Sequence, residues 1–239
     1  TSVGFGFPYI NLNGTNQILT IASGADIDSQ WGFSNGGLTK TGPGTLILRA
    51  NSIYNDPTIL EEGTIIYETI NAIDDDSDLI LDGGTLSVNG FSDDLAELDV
   101  NSNSTIILGT GNHSLTFQNS SAVTWNGSAN LIIENWQGIA GTTGTEGRIF
   151  IGNDNTGLTP SQLAQISFDN YPSPAELLPT GELVPSALDV TIFDNFNRTN
   201  SDVVGTPSSG GVNWSETEGL ASGARILNST LRLQPGVQG

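Results

Sequence analysis

Residues 36–68 read GGLTKTGPGTLILRANSIYNDPTILEEGTIIYE, and this stretch decides the fold. It opens with Gly-Gly and a polar run, turns at Gly42-Pro43-Gly44, and continues into the apolar segment Thr45–Leu48. Short runs of this kind, bounded by Gly and Pro, predict β-strands. A similar Gly-Thr-apolar motif occurs at Gly63–Tyr67, so the stretch contains two copies of one strand-forming repeat.

The same Gly/Ser-Thr-apolar phrase recurs along the chain at nearly equal intervals. Its threonines are Thr45, Thr64, Thr85 and Thr105, which stand 19, 21 and 20 residues apart. A second series of strand-like triplets lies between them, at Thr58–Leu60, Leu79–Leu81, Leu98–Val100 and Leu115–Phe117. Two or more strands in each unit of about 20 residues is a period typical of solenoids.

The predicted fold is therefore all-β: a right-handed parallel β-helix, or β-solenoid, with coils of about 20 residues. Ordering one coil costs on the order of 30 kcal/mol, whereas burying its half-dozen apolar side chains returns about 9 to 18 kcal/mol. A coil is thus stable only when others stack on it. Side-chain alternation predicts that the inward residues are Leu46, Leu48, Ile65, Tyr67, Leu86, Val88, Ile106 and Leu108.

Two further features follow from stacking these coils in register. The four threonines form an outward hydroxyl ladder, and Gly44, Gly63 and Gly84 occupy the preceding corners, where a positive φ is convenient. Alternation also turns Ile47, Ile66 and Ile107 outward. Either a loop covers these isoleucines or they form a lateral contact surface; we expect coverage, by residues 70–77 or 90–97.

A cap is expected where the regular rungs end. Thr159 is a good N-cap for a short helix over residues 161–165, which would close the exposed edge of the stack. Residues 1–188 then form the solenoid with its terminal cap, and residues 185–189 read as a linker. Residues 189–239 form either an incomplete jelly-roll-like segment or a β-hairpin appendage.

The stretch Gly36–Leu48 resembles the autotransporter-associated β-strand repeat of secreted passenger regions, whose usual form is G-G-L-x-K-x-G-x-G-T-L-x-L. It departs from the family at Asn55-Asp56-Pro57, where a Gly-rich turn is common, and this affects the loop shape. Residues 131–185 resemble the terminal part of secreted bacterial β-solenoid surface proteins. Residues 192–233 look like the first strands of a lectin-like, laminin-G-like domain. The resemblance implies a solenoid on a cell surface and no particular chemistry.

Charge excludes several classes of partner. The chain has 26 acidic and 6 basic residues, a formal net charge of -20, and a single lysine, Lys40. Phosphates and anionic membrane surfaces require clustered Lys and Arg, so neither nucleic acid nor a membrane is expected as a partner. No apolar run is long enough to cross a bilayer, and cysteine is absent. The lack of Met, at residue 1 included, favours a processed or excised piece.

An acidic run provides the candidate metal site. Asp74, Asp76 and Asp78 are spaced like the first three ligands of an EF-hand, but Leu79 and Thr85 replace its required Gly and closing Glu. An EF-hand is therefore excluded. A looser Ca²⁺ site and a solvated acidic turn remain the two readings. The turn at Asn153–Asn155 carries the same two alternatives.

Candidate catalytic residues are few. His113 is the sole histidine, so a triad or a multi-histidine metal site would need it; its position at a rung corner predicts an exposed turn residue. Parallel β-helices include polysaccharide lyases and glycosidases. A lyase would have to draw on Lys40, Arg49 or Arg148 within the solenoid, and a hydrolase on a carboxylate pair. The carboxylates available for that pair are Asp93, Asp94, Glu97 and Asp99.

The sequence therefore favours a non-catalytic stalk or passenger segment of a bacterial extracellular adhesin or surface filament. Its expected partners are other surface-protein subunits, an extracellular glycan, or a host or substratum surface. Export would follow either the autotransporter or the type IX route. The alternatives are a polysaccharide-processing β-helix enzyme and a carbohydrate-binding module, in which Trp214 of the terminal segment would be an exposed contact.

Overall fold

The structure is a computed structural model that describes residues 9–171 and 174–187, together with the backbone of residues 225–227 and 230–232. By their contacts the residues divide into two units, Thr1–Leu188 and Asp189–Gly239. No helix in the described ranges is both long and apolar enough to cross a membrane.

The first unit consists of short strands and one short helix, α1, at Pro160–Leu163. The strands are β1 Tyr9–Thr20, β2 Asp26–Ser29, β3 Gly32–Thr41, β4 Thr45–Leu48, β5 Thr58–Leu60, β6 Thr64–Tyr67, β7 Leu79–Leu81, β8 Thr85–Ser87, β9 Asp93–Leu95, β10 Leu98–Val100, β11 Ser104–Ile107, β12 Ser114–Phe117, β13 Leu131–Glu134, β14 Arg148–Ile151, β15 Ile166–Phe168, β16 Ala175–Leu177 and β17 Glu182–Pro185.

These strands form three sheets. Sheet A has the order β1-β3-β5-β7-β10, and sheet B has the order β15-β13-β11-β8-β6-β4-β2. Sheet C has the order β16-β17-β14-β12-β9. All pairings in sheets A and B are parallel, as when strands of successive coils stack. The predicted β-solenoid is confirmed, with about five turns of about 21 residues.

The predicted register is also confirmed. Thr45 pairs with Thr64, Thr64 with Thr85, and Thr85 with Thr105. The residues that alternation placed inward are all buried, with exposed fractions of 0–2%. They form one continuous hydrophobic core with the apolar residues of sheets A and C. Each strand inside sheets A and B thus fills its backbone hydrogen bonds with the coils on either side, which a single coil cannot do.

The glycine corners follow the prediction in two positions of three. Gly63 and Gly84 have φ values of 75° and 72°. Gly44 does not have a positive φ, and that part of the prediction is wrong; Gly42, at 76°, is the left-handed residue of this corner. Gly44 is needed for space instead, because a Cβ there would lie 2.4 Å from the Ala22 carbonyl oxygen.

The outward isoleucines are neither enclosed nor fully exposed. Ile47, Ile66 and Ile107 are half-buried on the outer face of sheet B. Ile70, which begins one of the loops expected to cover them, is itself 60% exposed. Neighbouring side chains of the same face provide partial burial, and the expected full coverage by a loop is not what the structure has.

The predicted short helix lies near the end of the solenoid. Thr159 caps the helix, which begins one residue earlier than expected, and Gln162 completes the capping box. The buried Gln162 amide also donates to the carbonyl oxygens of Ser120, at 2.9 Å, and Val123, at 3.0 Å. Strand β17 pairs antiparallel with β14 and β16, so the parallel ladder of sheet C ends there.

The second unit is described by its backbone alone at two strands. Strands β18, Arg225–Leu227, and β19, Thr230–Arg232, pair antiparallel. The other parts of the predicted jelly-roll-like segment, residues 193–198 and Trp214 among them, lie outside the described residues. The choice between a jelly-roll-like segment and a β-hairpin appendage therefore stays a prediction.

Candidate functional site

The most distinctive chemical feature of the solenoid is a lysine inside its core. Lys40 lies on β3 in a column of inward residues, between Leu19 of β1 and Leu60 of β5. Its exposed fraction is 0%. A charged amine rarely enters a protein interior unless its donors are all satisfied.

The corner of the coil supplies those acceptors. Lys40 Nζ donates to the carbonyl oxygens of Thr41 at 3.2 Å, Gly42 at 2.6 Å and Glu62 at 2.9 Å. An ammonium group has three protons, so all three are used on backbone carbonyls of two successive coils. Burial lowers the pKa of Lys40, and the nearby Glu62 charge opposes that shift. We call this arrangement the lysine corner.

A glycine lets the next coil approach the lysine corner. A Cβ at Gly63 would lie 2.4 Å from the Gly44 carbonyl oxygen, 2.5 Å from that of Gly42, and 2.8 Å from Lys40 Nζ. Contacts this short do not occur between real atoms, so the corner requires glycine on steric grounds as well as for its positive φ. The glycine of the Gly63-Thr64 phrase is thus required for the next coil to pack against the K-x-G-x-G-T segment, residues 40–45.

The other two cations in the described part of the solenoid lie on its surface. Arg49 Nε is 2.7 Å from Asp28 Oδ1, and Arg49 Nη1 is 3.7 Å from Glu68 Oε2. The Arg148 guanidinium lies 5.5 Å from the ring centre of Phe150 and donates to Asn112 at 3.4 Å. Lys40 is buried; Arg49 directly follows β4 of sheet B, whereas Arg148 begins β14 of sheet C.

The carboxylates considered for hydrolysis lie on different elements and differ in burial. Asp93 and Asp94 point to opposite sides of β9, and the first is buried while the second is exposed. Asp99 lies on the outer side of β10 in sheet A. Glu97 is half-buried, with its backbone N–H bonded to Asp78 Oδ1 at 3.0 Å.

Among these carboxylates, Asp93 has the largest change in pKa from the ordinary value. Its side chain is 1% exposed; Oδ2 accepts a hydrogen bond from the Ile73 N–H at 3.2 Å. Within the described residues, Asp93 Oδ1 and the Tyr67 hydroxyl have no hydrogen-bond partner of normal geometry. Burial raises the pKa of Asp93 to about 7; the Ile73 N–H and the nearby Tyr67 hydroxyl oppose the shift, and the charges of Asp75 and Asp94 add to it.

The acidic run places two of its three predicted ligands together. Asp74 and Asp76 line an open cavity of about 200 Å³, beside Ile53, Tyr54 and Asn55. Asp74 Oδ1 accepts a hydrogen bond from the Asp76 N–H at 3.0 Å, whereas Asp78 Oδ1 binds the Glu97 N–H. In the part of the chain that is described, no three acidic, His or Cys side chains converge as metal ligands.

Calcium binding by Asp74, Asp76 and Asp78 therefore stays a prediction. Thermal unfolding in a chelator and in added Ca²⁺ tests it, because a bound structural ion raises the unfolding midpoint. In the second candidate turn, Asp154 Oδ1 accepts from Thr156 N at 2.8 Å and from Thr156 Oγ1 at 2.6 Å. These bonds lower the pKa of Asp154 and account for its presence in the turn.

His113 is not the exposed turn residue that the sequence predicted. Its exposed fraction is 4%, because the ring packs under the neighbouring coil, where a Cβ at Gly147 would lie 2.5 Å from His113 Cε1. Nδ1 is 2.9 Å from the Gly111 carbonyl oxygen, which makes Nδ1 the protonated nitrogen. Among the described residues Nε2 has no hydrogen-bond partner, and no serine nucleophile or carboxylate contacts the ring by hydrogen bonding.

The structure also shows a buried glutamate that sequence reasoning missed. Glu182 on β17 is 1% exposed and accepts hydrogen bonds from the Gly144 N–H, at 2.7 Å, and from the Thr143 hydroxyl. It holds the loop between β13 and β14 against the closing strands. A signal for this role was available in the phrase Gly181-Glu182-Leu183, which resembles a rung of the repeat with an acid in the threonine position.

One comparison with known proteins gave a match. Residues 38–66 match the family described as passenger-associated-transport-repeat, from Leu38 on β3 to Ile66 on β6, and so include the lysine corner. No curated protein matches the chain, and no solved structure does. The matched repeat and the β-solenoid fit an autotransporter passenger repeat protein.

Proposed function

We propose that this passenger-repeat solenoid is a non-catalytic stalk or passenger segment of a bacterial surface protein. The observation that supports it is the lysine corner within the residues that match the passenger repeat. The Lys40 ammonium of the motif is used in joining one coil to the next. A repeat whose polar groups bind the neighbouring coil is suited to forming a long solenoid from many stacked coils.

The non-catalytic part of the proposal draws on the positions of the ionisable groups. Lys40 is buried under the corner, Arg49 is paired with Asp28, and Asp93 and Asp94 face opposite ways. General acid–base chemistry requires such groups to converge on one substrate position. A β-helix polysaccharide lyase or glycosidase is thus the less favoured candidate.

A surface location agrees with the charge of the chain. The net charge of -20 makes neighbouring copies repel each other and keeps an exposed protein soluble. Partners of the stalk are then uncharged glycans, cationic surfaces, or other subunits of the same surface structure. Adhesion to one of these would occur through the faces of the solenoid or through the residues beyond it.

Surface exposure can be tested with single cysteines, because the chain has none. Bacteria that make the full protein with Glu61→Cys, at an exposed corner, should react with a membrane-impermeant maleimide while intact. Val88→Cys, at a position that is 0% exposed, is the matched control and should react after denaturation alone. Labelling of Glu61→Cys that requires cell lysis would contradict the proposal.

The absence of catalysis has its own test. The purified chain is incubated with neutral and acidic polysaccharides, with and without Ca²⁺, and new reducing ends are measured. We expect no release above a heat-denatured sample. Release that is abolished by Asp93→Asn or Arg148→Ala would favour the enzyme instead, since these residues carry its candidate acid–base and sugar-binding groups.

A further inference from the structure

The turn at Asn126-Gly127, between β12 and β13, holds an asparagine where it can react with its own backbone. We propose that Asn126 is a self-modification site, which converts to isoaspartate and aspartate through a cyclic succinimide without an enzyme. Water is the only co-reactant. The inference depends on the chemistry of this turn and not on the proposed function, so the two can fail separately.

The backbone distinguishes Asn126 from the other asparagines that precede a glycine. The chain has four Asn-Gly pairs, which begin at Asn13, Asn35, Asn89 and Asn126. The succinimide forms when the glycine nitrogen bonds to the side-chain carbon Cγ of the asparagine. The first three asparagines are left-handed, with φ values of 62°, 56° and 50°, a conformation that brings Cβ towards the following carbonyl oxygen and away from the next nitrogen. Asn126 has no positive φ, so its side chain is free of this restriction.

Hydrogen bonds hold the Asn126 side chain beside the glycine nitrogen. Its Oδ1 accepts from the Ser128 N–H at 3.2 Å and from the Ser128 hydroxyl at 3.0 Å. The ring that the first bond closes contains Gly127 N, so Cγ stays on the side of that nitrogen. Both donors also stabilise the oxygen that becomes negative when the nitrogen adds to Cγ, as the donors of an oxyanion hole do.

The glycine nitrogen is available for the attack. Within the described residues Gly127 N has no hydrogen-bond partner, whereas Gly90 N donates to the Leu108 carbonyl oxygen at 3.0 Å. Gly127 is exposed, and a Cβ there would meet nothing within 4 Å, so the turn can tighten without a clash. An open cavity of about 280 Å³ beside Asn126 and Ser128 gives water access to the reacting atoms.

A second turn of the chain has the same side-chain geometry without the reactive nitrogen. Asn119 Oδ1 accepts from the Ser121 N–H at 3.0 Å and from the Ser121 hydroxyl at 2.6 Å. The residue between them is Ser120, which is 0% exposed, and its N–H donates to the Gly157 carbonyl oxygen at 3.0 Å. Because that nitrogen is already bound and buried, Asn119 should not convert, and it serves as an internal control.

The reaction consumes water and releases ammonia. Gly127 N loses its proton to water or hydroxide and bonds to Asn126 Cγ, and the bond from Cγ to Nδ2 then breaks as ammonia leaves. Water opens the succinimide at the backbone carbonyl carbon, which gives isoaspartate, or at Cγ, which gives aspartate. No atom is oxidised or reduced. Because the glycine nitrogen must lose a proton, the rate rises with pH.

Conversion would weaken the contacts of this turn with its neighbours. Asn126 Nδ2 donates to the carbonyl oxygen of Asn101, after β10, at 2.9 Å. The Asn126 carbonyl oxygen accepts from Nε2 of Gln165, after α1, at 2.7 Å. A carboxylate in place of the amide has no proton for the Asn101 carbonyl, and isoaspartate lengthens the backbone. The modified turn therefore holds the coil of β10 and the segment after α1 less firmly.

The test follows conversion at pH 8 in the folded full chain and in the same chain unfolded in guanidinium chloride. After proteolysis, mass spectrometry measures isoaspartate and aspartate separately at Asn126, Asn89 and Asn119. In the folded chain we expect Asn126 to convert at least about tenfold faster than Asn89, with no conversion at Asn119. In the unfolded chain Asn126 and Asn89 should convert at similar rates, because the turn is lost. Equal rates at Asn126 and Asn89 in the folded chain would overturn the proposal.

A variant tests whether the hydrogen bonds of the turn are the cause. Ser128→Ala removes the hydroxyl donor and keeps the N–H, and its position is exposed. We expect it to slow conversion of Asn126 by at least about threefold in the folded chain and to leave the rate in the unfolded chain unchanged. The rate at Asn89 is the control and should not change. A Ser128→Ala chain that converts Asn126 as fast as the natural folded chain would also overturn the proposal.

Discussion

Lys40 illustrates how much one side chain contributes when it joins two coils. Its ammonium group binds carbonyl oxygens of its own corner, at Thr41 and Gly42, and of the next coil, at Glu62. The sequence marked Lys40 as the sole lysine and as part of a motif. It could not indicate that the side chain is buried, because the third acceptor stands 22 residues away and is brought near by stacking alone.

We predict that Lys40→Met lowers the free energy of unfolding by on the order of 2–4 kcal/mol. Methionine keeps the apolar stem but removes the ammonium donor from the Gly42 and Glu62 carbonyls; the Thr41 carbonyl keeps its hydrogen bond from the Ile21 N–H. The comparison is Arg49→Met, which removes a cation from an exposed pair and should lower the free energy of unfolding far less, because water screens that pair. Urea unfolding of the three proteins measures both. Equal losses would show that the lysine corner is not a structural unit.

Asp93 is a second residue whose setting follows from stacking. Alternation from Leu95 would place it inward, although the sequence otherwise marks it only as one of four carboxylates available for a hydrolytic pair. Burial raises the pKa of Asp93 to about 7, above its ordinary 3.8, so the folded protein holds the proton more tightly than the unfolded chain does. Its contribution to stability is full below about pH 4 and is lost as the pH rises to about 7.

We therefore predict that Asp93→Asn increases the free energy of unfolding at pH 8, by on the order of 2–4 kcal/mol, and by less at pH 5. The amide cannot ionise, and it can still accept from the Ile73 N–H. Denaturant unfolding at the two pH values gives the difference. Asp94→Asn, at an exposed neighbour, should change little at either pH. A loss of stability for Asp93→Asn that is the same at pH 5 and pH 8 would show that the buried carboxyl is not the cause.

At the scale of elements, the residue type that a corner between two strands accepts depends on how closely the next coil approaches it. Gly24 and Gly63 have similar φ values, 72° and 75°, but their surroundings differ. A Cβ at Gly24 would meet nothing within 4 Å, whereas one at Gly63 would meet the Gly44 carbonyl oxygen at 2.4 Å. Comparing alanine substitutions at Gly24 and Gly63 therefore separates the free-energy cost of the left-handed backbone from the cost of the close contact with the next coil.

We predict that Gly24→Ala costs about 1 kcal/mol, from its left-handed backbone alone. Gly63→Ala should cost at least about 2 kcal/mol more, because the corner must move away from Gly44 and Lys40. Thermal unfolding midpoints of the two variants measure the difference. Similar midpoints would mean that the coils are not in close contact at this corner.

The strands of sheets A and B could be predicted because their phrases repeat. Thr45–Leu48, Gly63–Tyr67 and Leu79–Leu81 each show alternation with a turn on either side, and the structure has a strand at each. Sheet C could not be foreseen as a third sheet. Leu115–Phe117 reads like Leu98–Val100 in sequence, yet β12 belongs to sheet C and β10 to sheet A.

Candidate site residues were harder to predict than strands, for a physical reason. The environments of His113, Asp93 and Lys40 are set by neighbouring coils, which lie about 20 residues away in sequence. Local patterns report turns and alternation, and they placed Asp154 correctly in a hydrogen-bonded turn. They do not report which ring or carboxyl the next coil covers. That information came from the stacking itself.

For the whole molecule, the central claim is that threonine-led strands of successive coils lie next to each other in register. Thr64 pairs with Thr85, and parallel neighbours are separated by about 4.8 Å, within the range that a disulfide can bridge. Ser87 lies two residues along the same strand, so its Cα is about 8 Å from that of Thr64, beyond that range. The natural chain has no cysteine that could interfere.

The most direct measurement is disulfide formation in two double variants, Thr64→Cys/Thr85→Cys and Thr64→Cys/Ser87→Cys, under mild oxidation. Free thiols are titrated over time, and the bond is confirmed by mass spectrometry after proteolysis. The in-register stack predicts rapid, complete bond formation in the first variant and little in the second. Equal rates, or faster bonding of Thr64→Cys/Ser87→Cys, would contradict the register and with it the solenoid described here.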